Sequence, residues 1–347
     1  MIKKIILLTD YKNRFLSKYG DHPYRSGMDK ALLKNIFKKM DVDVEYLQFT
    51  DIDFNTTNFK NKIVLYSSSE DIGFHYKSYI EDIILGMKLQ NAFVIPDYKY
   101  LRANNNKVFM EVLRDIIGNP ELSNLKSFKP GVVEDVYQKK TTLEKWSGYV
   151  LKSATGAMSS GVFLAKNYKE LIQKSKKISK TKKIYFDIKD YIRKFYFKGY
   201  QPESKFRNKF IIQQFVPNLK NDWKILIFFD KYYIVERPVK SNDFRASGSG
   251  HKHYLFGSNA NIPPGIFDFA KKIFSSFNEP FASIDIMYDG SVFYICEFQL
   301  LHFGTSGQVK SDCYFTEKDG QWAQINEKLP LERVYAESIV NHLKQIL

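Results

Sequence analysis

Acidic and amide side chains stand at matched ends of two neighbouring segments towards the carboxyl end of the chain. Residues 283–299 are typical of two β-strands joined by an Asp-Gly turn. Asp285 lies near the start of the first strand, and Glu297 and Gln299, two residues apart, project from one face of the second. Carboxylate and amide oxygens that converge in such a hairpin suit Mg²⁺ carrying a polyphosphate. The alternative is a surface hairpin whose acids are only solvated.

A lysine followed by a run of small residues forms a second candidate site. Lys152 ends an apolar strand, and the loop after it contains Ser, Ala, Thr and Gly, including Ser159, Ser160 and Gly161. Small residues let backbone N–H groups approach phosphate oxygens closely, so the loop is a candidate phosphate cradle. Its spacing is not that of a Walker A loop. The alternative is an ordinary flexible turn of a β-hairpin.

Two further segments could complete a cleft for anions. Residues 210–217 predict a strand stopped by Pro217, which leaves backbone groups near its end free to hydrogen-bond an adenine. Farther on, Arg237 closes a strand and Arg245 opens a loop of small residues. Guanidinium groups suit phosphoryl and carboxylate oxygens because they offer paired donors in one plane. Taken singly, each of these features is more often structural, as a strand end or a surface ion pair.

The length of the chain predicts two or three modules, and its positive charge indicates either an anionic partner or simply a lysine-rich surface. The chain has 347 residues and a net charge of +15, from 53 Lys and Arg against 38 Asp and Glu. No run of about 18 apolar residues occurs, which argues against a membrane span, and the apolar start is too short for a signal peptide. Two cysteines, Cys296 and Cys313, form no disulfide framework. A reducing, cytoplasmic location is expected.

Much of the positive charge lies in residues 169–209, where lysines and arginines alternate with Tyr and Phe. Such interleaving could bind nucleic acid. No nucleic-acid motif accompanies it, and most runs of this kind are solvated helix faces or loops. The sequence therefore favours a charged, mostly helical segment and argues against a nucleic-acid partner.

Strand and helix patterns divide the chain into a parallel α/β region and a following α+β region. The alternation in the first hundred residues predicts a parallel sheet with crossover helices and a crevice at the strand ends. The predicted elements there are strands at 5–8, 42–49, 63–67 and 93–95 and helices at 28–39 and 76–89. Beyond them we predict a strand-rich module at 129–168, a helical segment to 210, strands from 210 onward, and helices at 264–277 and 331–346.

Polar loops follow two strands of the first region and are candidates for substrate contact, because ligands bind after the ends of parallel strands. Residues 67–71 form one such loop. The other contains Tyr11, Arg14, Tyr24, Arg25 and Ser26. Helix capping is the alternative role for these side chains.

The order of these elements resembles the ATP-grasp superfamily, specifically its carboxylate–amine ligases related to ribosomal-protein glutamate ligase and glutathione synthetase. The resemblance covers residues 102–307, with a less specific match before them. Lys107, at a helix start, resembles the first phosphate-binding lysine, and Lys152 resembles the second. The other matched positions are the flap (Ser159, Ser160, Gly161), the adenine hinge (Gln214, Phe215, Val216), Asp222 with Lys224 in place of an arginine, the acyl-phosphate arginines (Arg237, Arg245), and the metal ligands (Asp285, Glu297, and Gln299 in place of the usual Asn).

The resemblance implies an ATP-grasp fold, with α/β and α+β parts. Residues 1–101 would be an N-terminal parallel α/β (pre-ATP-grasp) domain. Residues 102–208 would form an ATP-grasp N-lobe with the flap and a basic helical insert, and residues 209–347 a C-lobe with the Mg-binding hairpin. ATP and two Mg²⁺ ions are the implied cofactors, and Mn²⁺ could substitute.

The implied activity is that of a cytoplasmic, ADP-forming ligase that joins a small-molecule or peptide carboxylate to an amine through an acyl phosphate. Such an enzyme would act in small-molecule, peptide or cell-surface-polymer biosynthesis, with Arg237, Arg245 and Lys224 as catalytic residues and Asp222 in the nucleotide-binding set. Two alternatives stay open: an ATP-grasp kinase that releases a phosphorylated product, and a non-catalytic basic binding protein on the same scaffold. A homodimer is compatible with the sequence.

Overall fold

The computed structural model describes residues 4–18, 26–156, 161–181, 184–239 and 253–347. Within these ranges no helix is long and apolar enough to cross a membrane. In chain order the elements are β1 (Lys4–Thr9), α1 (Lys30–Lys39), β2 (Asp43–Gln48), β3 (Ile63–Leu65), α2 (His75–Leu89), β4 (Phe93–Ile95), α3 (Tyr98–Ala103), α4 (Lys107–Ile117), β5 (Ser127–Phe128), α5 (Val133–Gln138), α6 (Lys140–Leu143), β6 (Tyr149–Ser153), β7 (Val162–Ala165), α7 (Tyr168–Ser179), α8 (Ile184–Tyr196), β8 (Phe210–Gln214), β9 (Asn221–Phe228), β10 (Lys231–Pro238), β11 (Leu255–Phe256), α9 (Ile266–Ser275), β12 (Phe281–Tyr288), β13 (Phe293–Gln299), α10 (Ser306–Lys310), β14 (Tyr314–Lys318), β15 (Gln321–Ile325) and α11 (Leu331–Ile346).

A parallel sheet of order β2-β1-β3-β4 forms the first region. Each of its strands has a predicted counterpart, and α1 and α2 are the predicted crossover helices. Buried apolar side chains run along β1 because both faces of a parallel sheet are covered. The parallel α/β fold predicted for this region is therefore confirmed.

An antiparallel sheet of order β5-β8-β6-β7 forms the second region. Strands β6 and β7 pair as the predicted hairpin, but the first half of the predicted strand-rich module was wrong, since α5 and α6 occupy it. The Asp135 carboxylate accepts hydrogen bonds from the N–H groups of Gly131 (2.8 Å) and Val132 (3.1 Å) at the start of α5. This local capping, together with burial of Val133 and Val136 on one helical face, outweighs the strand preference of valine.

Seven strands form the third sheet, in the order β13-β12-β9-β10-β14-β15 with β11 on β10. The sequence predicted β9, β10, β12 and β13, but not β14, β15 or the short helix α10. Every second residue of the central strands is apolar and buried on one face of this sheet. That face packs on α9 and includes Trp223, Ile225, Ile284, Ile286, Ile295 and Phe298. The alternate residues face a cavity.

Candidate active site

One cavity of about 840 Å³ is lined by residues from all three sheets. Most of the predicted site residues line it: Lys107, Lys152, Gln214, Phe215, Val216, Asp222, Lys224, Arg237, Asp285, Glu297 and Gln299. Gly161 is not among the lining residues, but its carbonyl accepts a hydrogen bond from the Ser153 N–H (3.1 Å) at the base of the β6–β7 loop. Ser159, Ser160 and Arg245 lie outside the described residues. The predicted set is therefore largely brought together at one place.

Strand alternation explains why so many polar side chains meet in the cavity. Three neighbouring strands, β12, β9 and β10, contribute alternate residues to the same face, and β13 continues this face at the edge of the sheet. The cross-strand register places Lys224 beside Asp285 and Asp222 beside Arg237. The polar residues of this face are Asp222, Lys224, Arg237, Asp285, Glu297 and Gln299.

A β-bulge on β13 brings the two carboxylates opposite each other. Near the hairpin turn Tyr288 pairs with Phe293 and Ile286 with Ile295, and a continuation of this register would pair Asp285 with Cys296. The register shifts by one residue at this point, so that Asp285 pairs with Glu297 instead. A bulge places two successive residues against one partner. As a result both Cys296 and Glu297 line the cavity.

Two cations flank Asp285. The Lys224 Nζ lies 2.8 Å from its Oδ1, and the Arg237 Nη2 lies 2.9 Å from its Oδ2. Both contacts are ion pairs. Neither Asp285 Oδ1 nor Arg237 Nη2 has a hydrogen-bond partner within the described residues, because the angles of these contacts do not suit a hydrogen bond. The Arg237 Nε does donate a hydrogen bond to Asp222. Asp222, Arg237, Asp285 and Lys224 thus form a compact, charge-balanced cluster.

The two carboxylates of this cluster differ in pKa. Burial raises the pKa of Asp222 to about 6, against the opposing effect of Arg237. Burial would also raise the pKa of Asp285, but Arg237 and Lys224 hold it well below its usual range. Burial opposes the charge of Arg237, but Asp222 and Asp285 raise its pKa above the usual value. Asp285 therefore stays ionised to a lower pH than Asp222 does, as suits a metal ligand.

Lys107 and Lys152 approach adjacent residues of β13 from different elements. Lys152, on β6, donates a hydrogen bond from Nζ to the Sγ of Cys296 (3.1 Å). Lys107, the first residue of α4, donates to the Gly156 carbonyl (3.0 Å), and its Nζ lies 3.9 Å from Glu297 Oε1. Burial lowers the pKa of Lys152, but Cys296 and Glu297 outweigh burial and raise it above the ordinary value. Both ammonium groups thus reach the cavity wall that carries Glu297.

Helix α4 is held in place so that Lys107 can reach this wall. The Asn106 side chain caps the helix by accepting from the Phe109 N–H (3.4 Å), and the Lys107 N–H donates to Ala154 (2.9 Å). Within α4 the buried Glu111 accepts a hydrogen bond from the Gln213 amide on β8 (2.8 Å). These contacts join α4 to both β6 and β8, which fixes the spacing between the two lysines.

The residues around Asp285 suit Mg²⁺ held jointly by protein and phosphate. Among the described residues no three His, Cys, Asp or Glu side chains are grouped as metal ligands. Mg²⁺ is commonly held by one or two carboxylates together with substrate phosphates, so two carboxylates are enough. Asp285 Oδ1 is buried, forms an ion pair with Lys224 (2.8 Å) but no hydrogen bond within the described residues, and Glu297 lies opposite it. Gln299 donates from Nε2 to Glu297 Oε1 (3.1 Å), which places an amide beside the same carboxylate.

An apolar part of the cavity lies at the end of β8. The N–H groups of Gln214 and Phe215 donate to the carbonyls of Lys126 (2.9 Å) and Gly148 (3.0 Å). Among the described residues the Val216 N–H donates no backbone hydrogen bond. The apolar lining near this strand end includes Leu125, Val150, Phe215, Val216, Leu219 and Met287. A flat heterocycle with hydrogen-bonding edges would suit this slot.

At its other end the cavity is lined by loops of the parallel sheet. Tyr11, Arg14 and residues 67–71 line it, as the sequence predicted, while Ser26 does not and Tyr24 and Arg25 lie outside the described residues. The capping alternative also holds for Asp71, which accepts from the Tyr76 N–H (3.0 Å) at the start of α2. Asp10 accepts two hydrogen bonds from the Arg14 guanidinium, at 2.9 and 2.6 Å.

Sequence reasoning missed several lining residues. They include Lys12, Lys18, Tyr254, Met287, Cys296 and His302. Met287 could have been found, because it lies two residues after Asp285 on the same strand face. Cys296 could also have been found, because the register set by the hairpin turn places it opposite Asp285, on the same face, whereas Glu297 reaches that face only through the bulge. His302 follows β13 in a loop whose path carries no local signal.

No family model matches the chain, and no curated protein matches it in sequence. Solved structures match its fold over nearly its whole length. D-cycloserine synthetase DcsG aligns with 98% of this chain and 99% of its own, at a TM-score of 0.55 and 10% identity. A RiPP-associated ATP-grasp ligase from Chryseobacterium gregarium was solved with ADP and a leader and core peptide. It aligns with 98% of this chain and 97% of its own, at a TM-score of 0.53 and 12% identity. D-alanyl-alanine synthetase A from Vibrio cholerae aligns with 99% of this chain and 99% of its own, at a TM-score of 0.51 and 12% identity. We conclude that this chain has the ATP-grasp fold that its sequence predicts.

Proposed function

We propose that this protein is an ATP- and Mg²⁺-dependent ligase that joins a carboxylate to an amine with release of ADP. One observation carries the proposal. Two lysines from different elements, Lys107 and Lys152, reach the strand that carries Glu297, directly across from Asp285 and its two cations. Cations and metal-binding carboxylates at one wall of a cavity suit a polyphosphate with its metal.

The nucleotide would lie between the apolar slot and the two lysines. The base would fill the slot beside Val216, whose N–H is available as a donor. Lys107 and Lys152 would then contact the phosphate oxygens as point charges. Mg²⁺, held by Asp285, Glu297 and Gln299, would supply charge neutralisation at the transferred phosphoryl group.

The cations next to Asp285 would act on the acyl centre. The substrate carboxylate attacks the γ-phosphate and forms an acyl phosphate, and the amine then attacks the acyl carbon as phosphate leaves. The Arg237 Nη2, which has no hydrogen-bond partner within the described residues, can donate to the oxyanion that develops there. Lys224, bound to Ser283 Oγ (2.8 Å), is held beside it as a second positive charge. We assign Arg245 to the same role from its sequence position.

The substrates belong to the classes that similar folds accept. One similar structure holds a leader and core peptide and another is a D-alanyl-alanine synthetase. We therefore propose a small-molecule or peptide carboxylate and an amine as substrates. Tyr11, Arg14 and residues 67–71 would contact them, since they line the end of the cavity formed by the parallel sheet.

Isosteric removal of the metal carboxylates tests the proposal. Amino acids, organic acids and amines, screened in pairs with Mg-ATP, should yield a pair that releases ADP and gives a condensed product by mass. With that pair, Glu297→Gln and Asp285→Asn should each lower ADP release at least about a hundredfold, because the metal loses a charged ligand. Glu317→Gln is the control, since this residue lies on β14 of the same sheet, outside the cavity lining.

Three results would oppose the ligase assignment. ADP release that does not require the amine would indicate a kinase. Undiminished turnover in Glu297→Gln would show that Glu297 is not a ligand of the metal. Salt-sensitive binding of an acidic polymer that survives Glu297→Gln, without any ADP release, would favour a non-catalytic binding protein.

A further inference from the structure

Helix α8 exposes a broad apolar face outside the cavity. Ile184, Ile188, Tyr191, Ile192, Phe195 and Tyr196 are each between 48% and 80% exposed. At about 100° per residue these six side chains cover one continuous arc of roughly 140°. Exposed apolar patches of this kind on folded proteins mark interaction surfaces. This face is called the α8 face below.

The contacts that hold α8 leave the α8 face turned away from the body of the protein. Asp190 accepts a hydrogen bond from the Tyr200 hydroxyl (2.6 Å), and Asp187 forms an ion pair with Lys205 (3.8 Å). Asp190 lies on the arc opposite the apolar side chains, and Asp187 lies beside that arc, about 40° from Tyr191. These polar contacts involve Asp187 and Asp190, and the six apolar side chains remain exposed.

Positive charge borders the α8 face and is not balanced locally. Residues 184–198 contain four cations, Lys189, Arg193, Lys194 and Lys198, against the two acids Asp187 and Asp190. Asp190 forms an ion pair with Arg193 (3.5 Å) and Asp187 with Lys205 (3.8 Å), whereas the exposed Lys194 and Lys198 form no ion pair within the described residues. Lys189 lies at the edge of the apolar arc, with its Nζ 4.5 Å from the centroid of the Tyr185 ring. The partner must therefore offer apolar surface and negative charge together.

We propose that the α8 face docks the protein on an anionic lipid surface. An amphipathic helix with aromatic and aliphatic residues on one side and Lys and Arg on the other lies in the interface of such a membrane. Clusters of four to eight cations on such a helix favour acidic headgroups. The docking is peripheral, and it is independent of the ligase activity proposed above.

Two other occupants fit the observations less well. A second copy would bring two faces of the same positive excess together, which is unfavourable. A partner peptide that binds by its side chains needs a groove with two walls. No residue of α8 lines the 840 Å³ cavity or the smaller cavity beside Trp322. A convex apolar face with a cationic border suits a planar surface instead.

Sedimentation of the full chain with unilamellar vesicles tests the proposal. Vesicles of equal parts phosphatidylglycerol and phosphatidylcholine should bind the protein at least about tenfold more strongly than phosphatidylcholine alone. This preference should decrease at about 0.5 M salt, because screening weakens the attraction between cations and headgroups. Lys189→Gln/Lys194→Gln should also reduce it.

A pair of matched variants separates the α8 face from general surface hydrophobicity. Ile188→Ser/Phe195→Ser should weaken vesicle binding about tenfold or more, because two inserted apolar side chains are lost. Leu89→Ser/Ile116→Ser, at 77% and 71% exposed sites on other helices, should bind as the wild type does. ATP binding should be unchanged in all variants, so a failure of the proposed function would not affect this test.

Several outcomes would overturn the docking proposal. Equal binding of the wild type to both kinds of vesicle is one, and full binding by Ile188→Ser/Phe195→Ser is another. Binding of poly-L-glutamate without vesicle binding would assign the α8 face to an acidic protein partner. A dimer in sedimentation velocity that Ile188→Ser/Phe195→Ser abolishes would assign it to a second copy.

Discussion

At the scale of single residues, Lys152 is a buried cation whose contacts leave hydrogen-bonding capacity for a ligand. Its side chain lies in the cavity wall and, within the part of the chain that the structure describes, donates one hydrogen bond, to the Sγ of Cys296. A thiol is a weak acceptor, and an ammonium group has three donors. Because the neighbouring groups keep the pKa of Lys152 above its ordinary value despite burial, the charge is retained at neutral pH. Such a lysine can bind an anionic ligand in the cavity.

Substitution of Lys152 by methionine should weaken nucleotide binding. Methionine fills a similar volume without leaving a buried charge unpaired, so the fold should be kept. Loss of a charge-assisted contact predicts an affinity for Mg-ATP that is about 10–100-fold lower, measured by calorimetry. Lys166→Met, at an exposed position after β7, should have no effect. Equal affinity in Lys152→Met and the wild type would show that the cradle was assigned to the wrong lysine.

At the scale of elements, a buried carboxyl group joins the third sheet to the first region. Glu279 lies between α9 and β12 and accepts a hydrogen bond from the Asp97 N–H (2.8 Å), next to the start of α3. Burial raises the pKa of Glu279 to about 8, from an ordinary value of 4.5. The folded protein therefore binds this proton more tightly than the unfolded chain does.

The stability contributed by Glu279 should depend on pH with a definite sign. It is fully present below the unfolded pKa of 4.5 and is lost as the pH rises through about 8. Between about pH 7 and 9 the free energy of unfolding should fall by about 1 kcal/mol in the wild type relative to Glu279→Gln. Urea denaturation at several pH values measures the free energy of unfolding of each protein. Glu144→Gln, at an exposed position, is the control and should follow the pH profile of the wild type. Parallel pH profiles for the wild type and Glu279→Gln would contradict the prediction.

At the scale of the whole molecule, the closing helix is part of the same core as the first strand. Helix α11 buries Tyr335, Ile339 and Leu343 against a cluster that also contains residues of β1, α1, β9 and β10. The parallel sheet and the site-bearing sheet thus share one apolar interior. The two walls of the cavity are held together by this shared core.

A cavity in this core should destabilise the whole chain. Ile339→Ala removes a fully buried side chain and should lower the free energy of unfolding by about 2–5 kcal/mol, measured by denaturant titration. Ile346→Ala, in the same helix but 43% exposed, should cost far less. If Ile339→Ala shows two separate unfolding transitions and only one of them is destabilised, the first sheet folds without α11.

The sequence by itself determined the elements and the chemical types at the site. Alternating apolar residues in β9 and β12 predicted strands with one buried face, and that alternation predicts Asp285 and Lys224 on the opposite face. Strand–helix alternation predicted the parallel sheet for the same local reason. Both signals depend only on near neighbours in the chain.

Only the tertiary structure decided which atoms meet. The bulge that pairs Asp285 with Glu297 depends on the register between two strands, and the turn sequence alone would have paired Asp285 with Cys296. The ion pairs of Asp285 with Arg237 and Lys224 depend on a three-strand order. The exposure of the α8 face likewise follows from what the rest of the chain leaves uncovered. These features are contacts between distant segments, and no local pattern encodes them.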